Sequence, residues 1–316
     1  MDVLGEVLRS LNVFSHSLGT LSLARPWSLA VPASRPWCTI ATTVFEGEFW
    51  VSVDKQAPVL LKPGDAFMVT GGTAFTISSD PTLTPLPMDR IWRDQGLPEP
   101  SVAPSEPLHM EWGSGPERTE AFSTAFTLQD PTHNPLLAQL PSLIVVRRGE
   151  SDLDIWAEAA RRFCARETGG DPRGFSATSL NLIRMILGCF IRAYVNSQAR
   201  PDPSWMKGLS DPRIGRALAI MQLRCEERWT VAMLADEVGM ARSTFARVFH
   251  ELVGKAPMKY LVDCRMQSAV RYLVEKQMRI SEVSERVGYH SERAFRQAFR
   301  QCFGAAPAGY VRRFQV

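Results

Sequence analysis

From Thr230 to Leu252 the chain reads TVAMLADEVGMARSTFARVFHEL, and from Ile280 it reads ISEVSERVGYHSERAFRQAFRQCFG, a second copy of the same unit. Gly239, Phe245, Phe249, Gly254, Pro257 and Tyr260 reappear as Gly288, Phe295, Phe299, Gly304, Pro307 and Tyr310. The offset is 49 residues up to the glycine and 50 from the phenylalanine onward, so the second turn carries one added residue. In the first copy Thr230 is placed to cap a helix, Val231, Leu234, Ala235 and Val238 share a face, and Gly239 supplies a sharp turn. Phe245, Val248, Phe249 and Leu252 then follow the i, i+3, i+4, i+7 spacing of a buried stripe. Arg242, Ser243, Ala246, Arg247 and His250 are left facing outward, as in a helix that enters a DNA major groove. One such pair alone would be explained as well by an ordinary helical hairpin with a solvated face. Its repetition points to two helix-turn-helix units.

These units, the second carrying VGYHSERAFRQAFRQCFGAAPAGYVRRF, resemble the DNA-binding domain of the AraC/XylS transcription regulators over residues 211–316. The resemblance implies two three-helix subdomains joined by a long helix, here Leu261 to Glu275, with double-stranded DNA as partner. It also implies base contacts from the outward start of each second helix. These map to Arg242, Ser243, Ala246 and Arg247, and in the repeat to Glu292, Arg293, Arg296 and Gln297. RNA polymerase would be a further partner of an activator.

The net charge of +3 conceals an asymmetry. Residues 211–316 hold 18 Lys+Arg against 11 Asp+Glu, a net of +7, whereas residues 1–210 hold 18 against 22, a net of −4. An anionic partner is therefore expected on the C-terminal half. A length of 316 residues suggests two domains, and a hydrophobic content of 45% is enough for packed cores. No uninterrupted apolar run approaches the roughly 20 residues that span a bilayer. The opening MDVLGEVLRSLNVF interleaves Asp2, Glu6 and Arg9 with apolar residues and reads as an amphipathic helix, not a secretory signal. A cytoplasmic location is expected, with no membrane partner. The six cysteines form no C-x-x-C and no zinc-spaced cluster. Cys189 and Cys302 read as small core residues, whereas Cys38, at the start of a strand, is a candidate redox sensor.

LGTLSLARPWSLAVP, CTIATTVFEGEFWVSVD and APVLLKPGDAFMVTGGTAFTISS read as strands broken by Pro and Gly. Gly64, Gly72 and Phe75 are spaced as in the second cupin motif, G-x5-P-x-G-x2-H, with Thr70 in the proline's place and Phe75 in the histidine's. The segment is similar to the cupin sensor domain of one branch of the same regulators. The fold class expected is α+β: a cupin-like antiparallel barrel or jelly roll over about 15–145, helices over about 152–198, and an all-α C-terminal domain.

Two readings compete for the barrel. Many cupins are metalloenzymes that hold a metal with inward histidines. Here Thr42 and Phe75 stand at places where histidines serve that role, so neither metal nor cofactor is expected and the protein is not read as an enzyme. A sensor pocket for a small-molecule effector, or a dimer platform, remains. Thr42, Val44, Phe67, Val69 and Phe75 are the candidate pocket residues, although core packing explains each equally well.

From Pro81 to Pro116 the chain is rich in proline and reads as loop. AFSTAFTLQD returns to strand character, and HNPLLAQLPSLIVVR reads as a short helix and a strand. Asp152 to Arg166 and Ser176 to Gln198 read as helices. Leu180, Ile183, Leu187, Phe190 and Tyr194 form a stripe on the second. It is a candidate homodimer seam, with packing against the preceding helix through Leu153, Trp156, Ala160 and Phe163 as the alternative. ARPDPSWMKGLS, residues 199–210, reads as a linker between a domain over 1–198 and one over 211–316, and Asp211-Pro212 as the cap and first residue of a helix.

The best reading is a sequence-specific DNA-binding regulator controlled by a small molecule. A metal-independent cupin enzyme with a DNA-binding tail and a regulator that responds to cysteine oxidation are the alternatives.

Overall fold

The computed structural model describes residues 13–34, 38–54, 56–97, 106–128, 140–168, 173–197, 211–274 and 277–312, with Gly5 and Leu8. The expected amphipathic helix at the start, the short helix after His133 and the linker 199–210 lie outside the described residues, wholly or for the most part. Contacts divide the chain into two compact units. Of the described residues, 13–128 and 140–197 form one, and those from 211 to 312 belong to the other.

The first unit is built from β1 (Val13–Ala24), β2 (Ser28–Val31), β3 (Cys38–Glu46), β4 (Phe49–Val53), β5 (Val59–Leu61), β6 (Ala66–Val69), β7 (Phe75–Ser78) and β8 (Leu86–Pro87). Helix α1 (Met88–Asp94), β9 (Leu108–Trp112), β10 (Arg118–Leu128), β11 (Leu143–Val146), α2 (Leu153–Glu167) and α3 (Phe175–Asn196) complete it. One sheet runs β11-β6-β3-β10-β1-β9 and the other β5-β4-β7-β2-β8. The result is a two-sheet, jelly-roll-like cupin fold rather than a closed barrel. Neighbouring strands are antiparallel except at two edges, where β9 lies parallel to β1 and β8 parallel to β2.

Alternation sets which side chains enter the space between the sheets. In β4, Phe49, Val51 and Val53 are buried while Trp50 and Ser52 are only partly covered, the period-two pattern of a strand with one core face. β6 departs from it, with all four residues buried. It is an inner strand of the six-stranded sheet, whose members β1, β3 and β11 also carry α2 and α3, so that sheet is covered on both faces. The core between the sheets contains Trp27, Phe49, Phe67 and Phe75, whose rings meet in tilted or edge-to-face pairs 5.6, 6.2 and 5.9 Å apart. Where the sequence suggests loop from Pro81 to Pro116, the structure places β8, α1 and β9. Met88, Ile91 and Trp92 recur at helical spacing in α1 and turn toward the core, which offsets the proline-rich surroundings.

The helices correct two further expectations. Of the stripe on α3, Ile183, Leu187, Phe190 and Tyr194 are buried within the single chain, where α3 packs on α2, β1 and β11. Leu180 is half-buried. That face is covered by the chain itself, the alternative packing on the preceding helix. On α2 the buried stripe is Leu153, Ala157, Ala160 and Cys164, whereas Trp156 is exposed and Phe163 stacks on Phe175. The buried face is thus shifted by one residue at two of the four expected positions, from Trp156 to Ala157 and from Phe163 to Cys164. α3 is long and apolar enough to cross a membrane by composition, but its apolar stripe is consumed in this packing.

The second unit contains α4 (Pro212–Leu223), α5 (Val231–Glu237), α6 (Arg242–Val253), α7 (Pro257–Val274), α8 (Ile280–Arg286), α9 (Glu292–Phe303) and α10 (Pro307–Val311). Asp211 caps α4, its carboxylate accepting from the Arg213 and Ile214 amides, with Pro212 at the first helical position. The long connecting helix begins at Pro257, a turn earlier than the expected Leu261.

Candidate DNA-reading surface and sheet-to-sheet cavity

Each helix-turn-helix is assembled by its own local chemistry. Thr230 caps α5 by accepting from the Met233 amide, and Ser291 caps α9 by accepting from Ala294, so orphan N–H groups at both starts are satisfied. The repeated phenylalanines Phe245, Phe249, Phe295 and Phe299 are all fully buried. Fully burying each is worth about 1.5–3 kcal/mol, which fixes the rotation of α6 and α9 about their axes. Val253 completes the buried face of α6, while Val248 and Leu252 are half-buried. The expected stripe therefore drifts by one residue toward the helix end.

With the phenylalanines inside, the expected reading residues fall outside. Arg242, Ser243 and Arg247 on α6 and Arg293, Arg296 and Gln297 on α9 are exposed, with Ala246 and Glu292 half-covered. On both surfaces an arginine is held by a glutamate one turn away. The Arg247 Nη1 donates to both Glu251 carboxylate oxygens at 2.8 and 2.9 Å, one turn along α6, and the Arg296 Nε reaches back to Glu292 at 2.6 Å. Such exposed i, i+4 pairs are worth only about 0.2–0.5 kcal/mol, so both arginines can exchange a carboxylate for a phosphate or a base edge at little cost.

Within the second unit, the two helix-turn-helix subdomains are tied together. Arg265 on α7 donates to the Cys225 and Glu227 carbonyls of the α4–α5 loop at 2.7 Å each, and its guanidinium lies 5.8 Å from the Tyr289 ring of the second turn. Asp263, on the same helix and buried, accepts from Lys255 at 2.8 Å and faces the Cys302 thiol at 3.8 Å on α9. Burial and the Asp263 carboxylate push the Cys302 thiol up to about 12, so it stays protonated in the packed interface.

Between the two sheets of the first unit lies a cavity of about 420 Å³, within the range of small-molecule pockets. Thr42, Phe67, Val69 and Phe75 line it, as expected. Val44 does not; it is fully buried in the core. The register explains the grouping, because β3 lies between β10 and β6 and pairs Thr42 with Ser123 on one side and Phe67 on the other. The Thr42 and Ser123 hydroxyls are hydrogen-bonded at 3.0 Å. Helix α1 contributes Met88, Asp89, Trp92 and Arg93 to the wall, and Met110 comes from β9. Sequence reasoning missed these, although Met88, Ile91 and Trp92 were an available helical signal.

Cys38 also lines the cavity. Burial raises its thiol above the ordinary range against the opposing hydrogen bond from Ser34, which disfavours the thiolate that oxidation needs. Among the described residues no group of three or more His, Cys, Asp or Glu side chains is arranged to hold a metal ion.

The family model described as Cupin matches residues 2–196, more than half the chain, and the one described as Helix-turn-helix domain matches residues 234–313. The chain belongs to the AraC-type transcription regulators with a cupin N-terminal domain. An AraC-like transcription regulator of Streptomyces lividans is 28% identical to this AraC-type chain over 313 residues, 98% of both proteins. The HTH-type transcriptional regulator AlkR of Acinetobacter baylyi is 34% identical over 178 residues, 56% of this chain and 58% of its own length. Among solved structures, the DNA-binding domain of AdpA, a global transcriptional factor, in complex with a target DNA is 30% identical over 36% of this chain and 95% of that chain, with a TM-score of 0.31. ToxT of Vibrio cholerae with bound unsaturated fatty acid aligns over 94% of this AraC-type chain and 95% of its own at 11% identity, with a TM-score of 0.32.

Proposed function

We propose that this DNA-binding regulator reads two adjacent major-groove segments with the outward faces of α6 and α9, and that a small molecule in the sheet-to-sheet cavity controls it. The observation that carries the DNA half is the repeated burial of Phe245/Phe249 and Phe295/Phe299. It turns Arg242, Ser243, Ala246 and Arg247, and then Glu292, Arg293, Arg296 and Gln297, to the outward sides of the equivalent helices α6 and α9 of the two repeats. The domains we assign are 1–198 for sensing, 199–210 as linker and 211–316 for DNA. Binding to chromosomal DNA would place the protein in the cytoplasm, with RNA polymerase as a further partner if it activates.

The non-enzymatic reading draws support from what occupies the two cupin positions: the Thr42 hydroxyl engaged with Ser123, and Phe75 packed edge-on against Phe67. Self-association as a homodimer through the N-terminal half is part of the proposal. With the α3 stripe buried, the large apolar side chains left exposed on α2 and α3 are Ile155, Trp156 and Met185.

The test is selection of bound sequences from random duplexes by the full chain, followed by titration across salt. Two half-sites should emerge, and affinity should fall steeply with salt, each phosphate contact adding nearly one unit to the log-log slope. Salt-independent or undetectable binding would remove the proposal.

A further inference from the structure

This inference rests on the cavity being the effector site and concerns what it admits. We infer that the cavity selects an uncharged, largely apolar molecule with a hydroxyl or carbonyl oxygen, and that Thr42 and Ser123 receive that oxygen.

The wall is apolar over most of its extent, with Leu21, Phe67, Phe75, Ile77, Trp92 and Met110 facing one another across the space. Among the described lining residues, the side chains that carry charge are Asp89 and Arg93 on α1. They have opposite sign, lie 3.3 Å apart and are 56% and 71% exposed, so they sit toward water and neutralise each other. Cys38 adds no charge, since burial keeps its thiol protonated. An ionised carboxylate or ammonium held beside buried Thr42 and its partner Ser123 would lose its hydration and meet no counter-charge there, since Asp89 and Arg93 lie toward water, a transfer that goes uncompensated. A neutral ligand avoids that loss.

The hydroxyl pair sets what a neutral ligand gains. Thr42 Oγ1 and Ser123 Oγ share one hydrogen bond at 3.0 Å, which uses one of their two protons. The other proton and the unused lone pairs provide a donor and an acceptor at one place on the wall. That combination suits an alcohol or carbonyl oxygen. Thr42 is 3% exposed on an inner strand with neighbours paired on both sides, so the site is rigid before any ligand arrives. Apolar contact then supplies affinity and the hydroxyl pair supplies orientation.

The experiment is isothermal titration calorimetry of the full chain with decan-1-ol and with decanoate at pH 8, using wild type, Thr42→Val, Ser123→Ala and Thr42→Ser. We expect decan-1-ol to bind wild type at least about tenfold more tightly than decanoate. Thr42→Val and Ser123→Ala should weaken the alcohol by roughly two- to tenfold, the worth of one net hydrogen bond, with Thr42→Ser close to wild type. Decanoate binding as tightly as decan-1-ol overturns the inference, as does failure of the alcohol to bind or an unchanged affinity in both hydroxyl-deleting variants. If Thr42→Val does not fold by circular dichroism, Ser123→Ala and Thr42→Ser carry the comparison. DNA affinity measured on the same samples separates the two readings. DNA binding without alcohol binding sinks the ligand inference alone. Selective alcohol binding that leaves DNA affinity unchanged sinks the effector role of the cavity and leaves its selectivity.

Discussion

Gly288, in the second helix-turn-helix, lies so close to the Glu226 carbonyl in the α4–α5 loop of the first helix-turn-helix subdomain that a Cβ on it would stand 2.3 Å from the oxygen. Gly239, its counterpart in the first repeat, has open space around it. Both take left-handed backbone conformations, with φ of 64° at Gly239 and 81° at Gly288. The two glycines therefore meet the same turn requirement, but only Gly288 also permits the two helix-turn-helix subdomains to dock. Gly239→Ala should cost about 1–2 kcal/mol in urea unfolding, the left-handed penalty alone. Gly288→Ala should cost more, and it should weaken binding to a two-half-site operator more than to a single half-site. Equal effects of the two substitutions on stability and on the paired operator would show that docking contributes nothing.

The repeat made the second unit legible, because the same glycines and phenylalanines at matched spacing restrict both the elements and their buried faces. Burial at Phe245 and Phe295 then follows from the pattern. The first unit was legible at the level of its strands and of four cavity residues, because the β-branched and aromatic runs around Thr42 and Phe67 are bounded by Pro and Gly. The part α1 plays was hidden, since MDRIWRD has three apolar residues in a proline-rich stretch and its partners lie on distant strands. The α3 stripe failed for a different reason. Periodicity marks an apolar face, but whether another helix of the same chain or a second chain covers it depends on tertiary packing.

Leu187 tests that point directly. It is 2% exposed within the chain, so Leu187→Glu would place an ionised carboxylate in the sheet-facing core of α3. The expected result is loss of the first unit's cooperative unfolding transition, seen by calorimetry, rather than a folded chain of altered association. A folded variant with weakened self-association in sedimentation would return the stripe to an intermolecular role.

His16 gives the first unit a pH dependence of predictable sign. Burial lowers its pKa below the ordinary value of 6.5, outweighing the hydrogen bond with Ser176 that raises it, with Arg184 adding to the lowering. Its Nε2 lies 2.7 Å from Ser179 Oγ, a contact that pins β1 to α3. Below pH 6.5 the unfolded chain takes up the proton first, so this contribution to stability is complete above that value and is lost as pH falls through the lowered folded value. Urea midpoints of the wild type should decline below pH 6.5, and His16→Gln should flatten the decline in that window. An unchanged profile in the variant would assign the acid sensitivity to other groups.

The most specific prediction concerns the unequal reading of the two half-sites. Arg247 of α6 and Gln297 of α9 occupy the same register of the repeat, both exposed. An arginine can bond both acceptors on a guanine edge, whereas glutamine suits adenine and brings no charge. The structure adds a condition, because Arg247 is held by Glu251 and must leave it to reach a base. Arg247→Ala should cost about 1–3 kcal/mol on the selected operator and relax selection at one base pair, with little change on scrambled DNA. Glu251→Gln should act in the opposite sense, freeing the guanidinium and raising affinity for both DNAs at low salt while barely altering stability, since an exposed helical pair is worth roughly 0.5 kcal/mol or less. Gln297→Ala should lose less specificity than Arg247→Ala. If Arg247→Ala lowers both affinities by one factor and reduces the salt slope, its contact is to phosphate and not to a base. If Gln297→Ala loses the greater specificity, the second helix is the principal reader and the assignment of roles must be reversed.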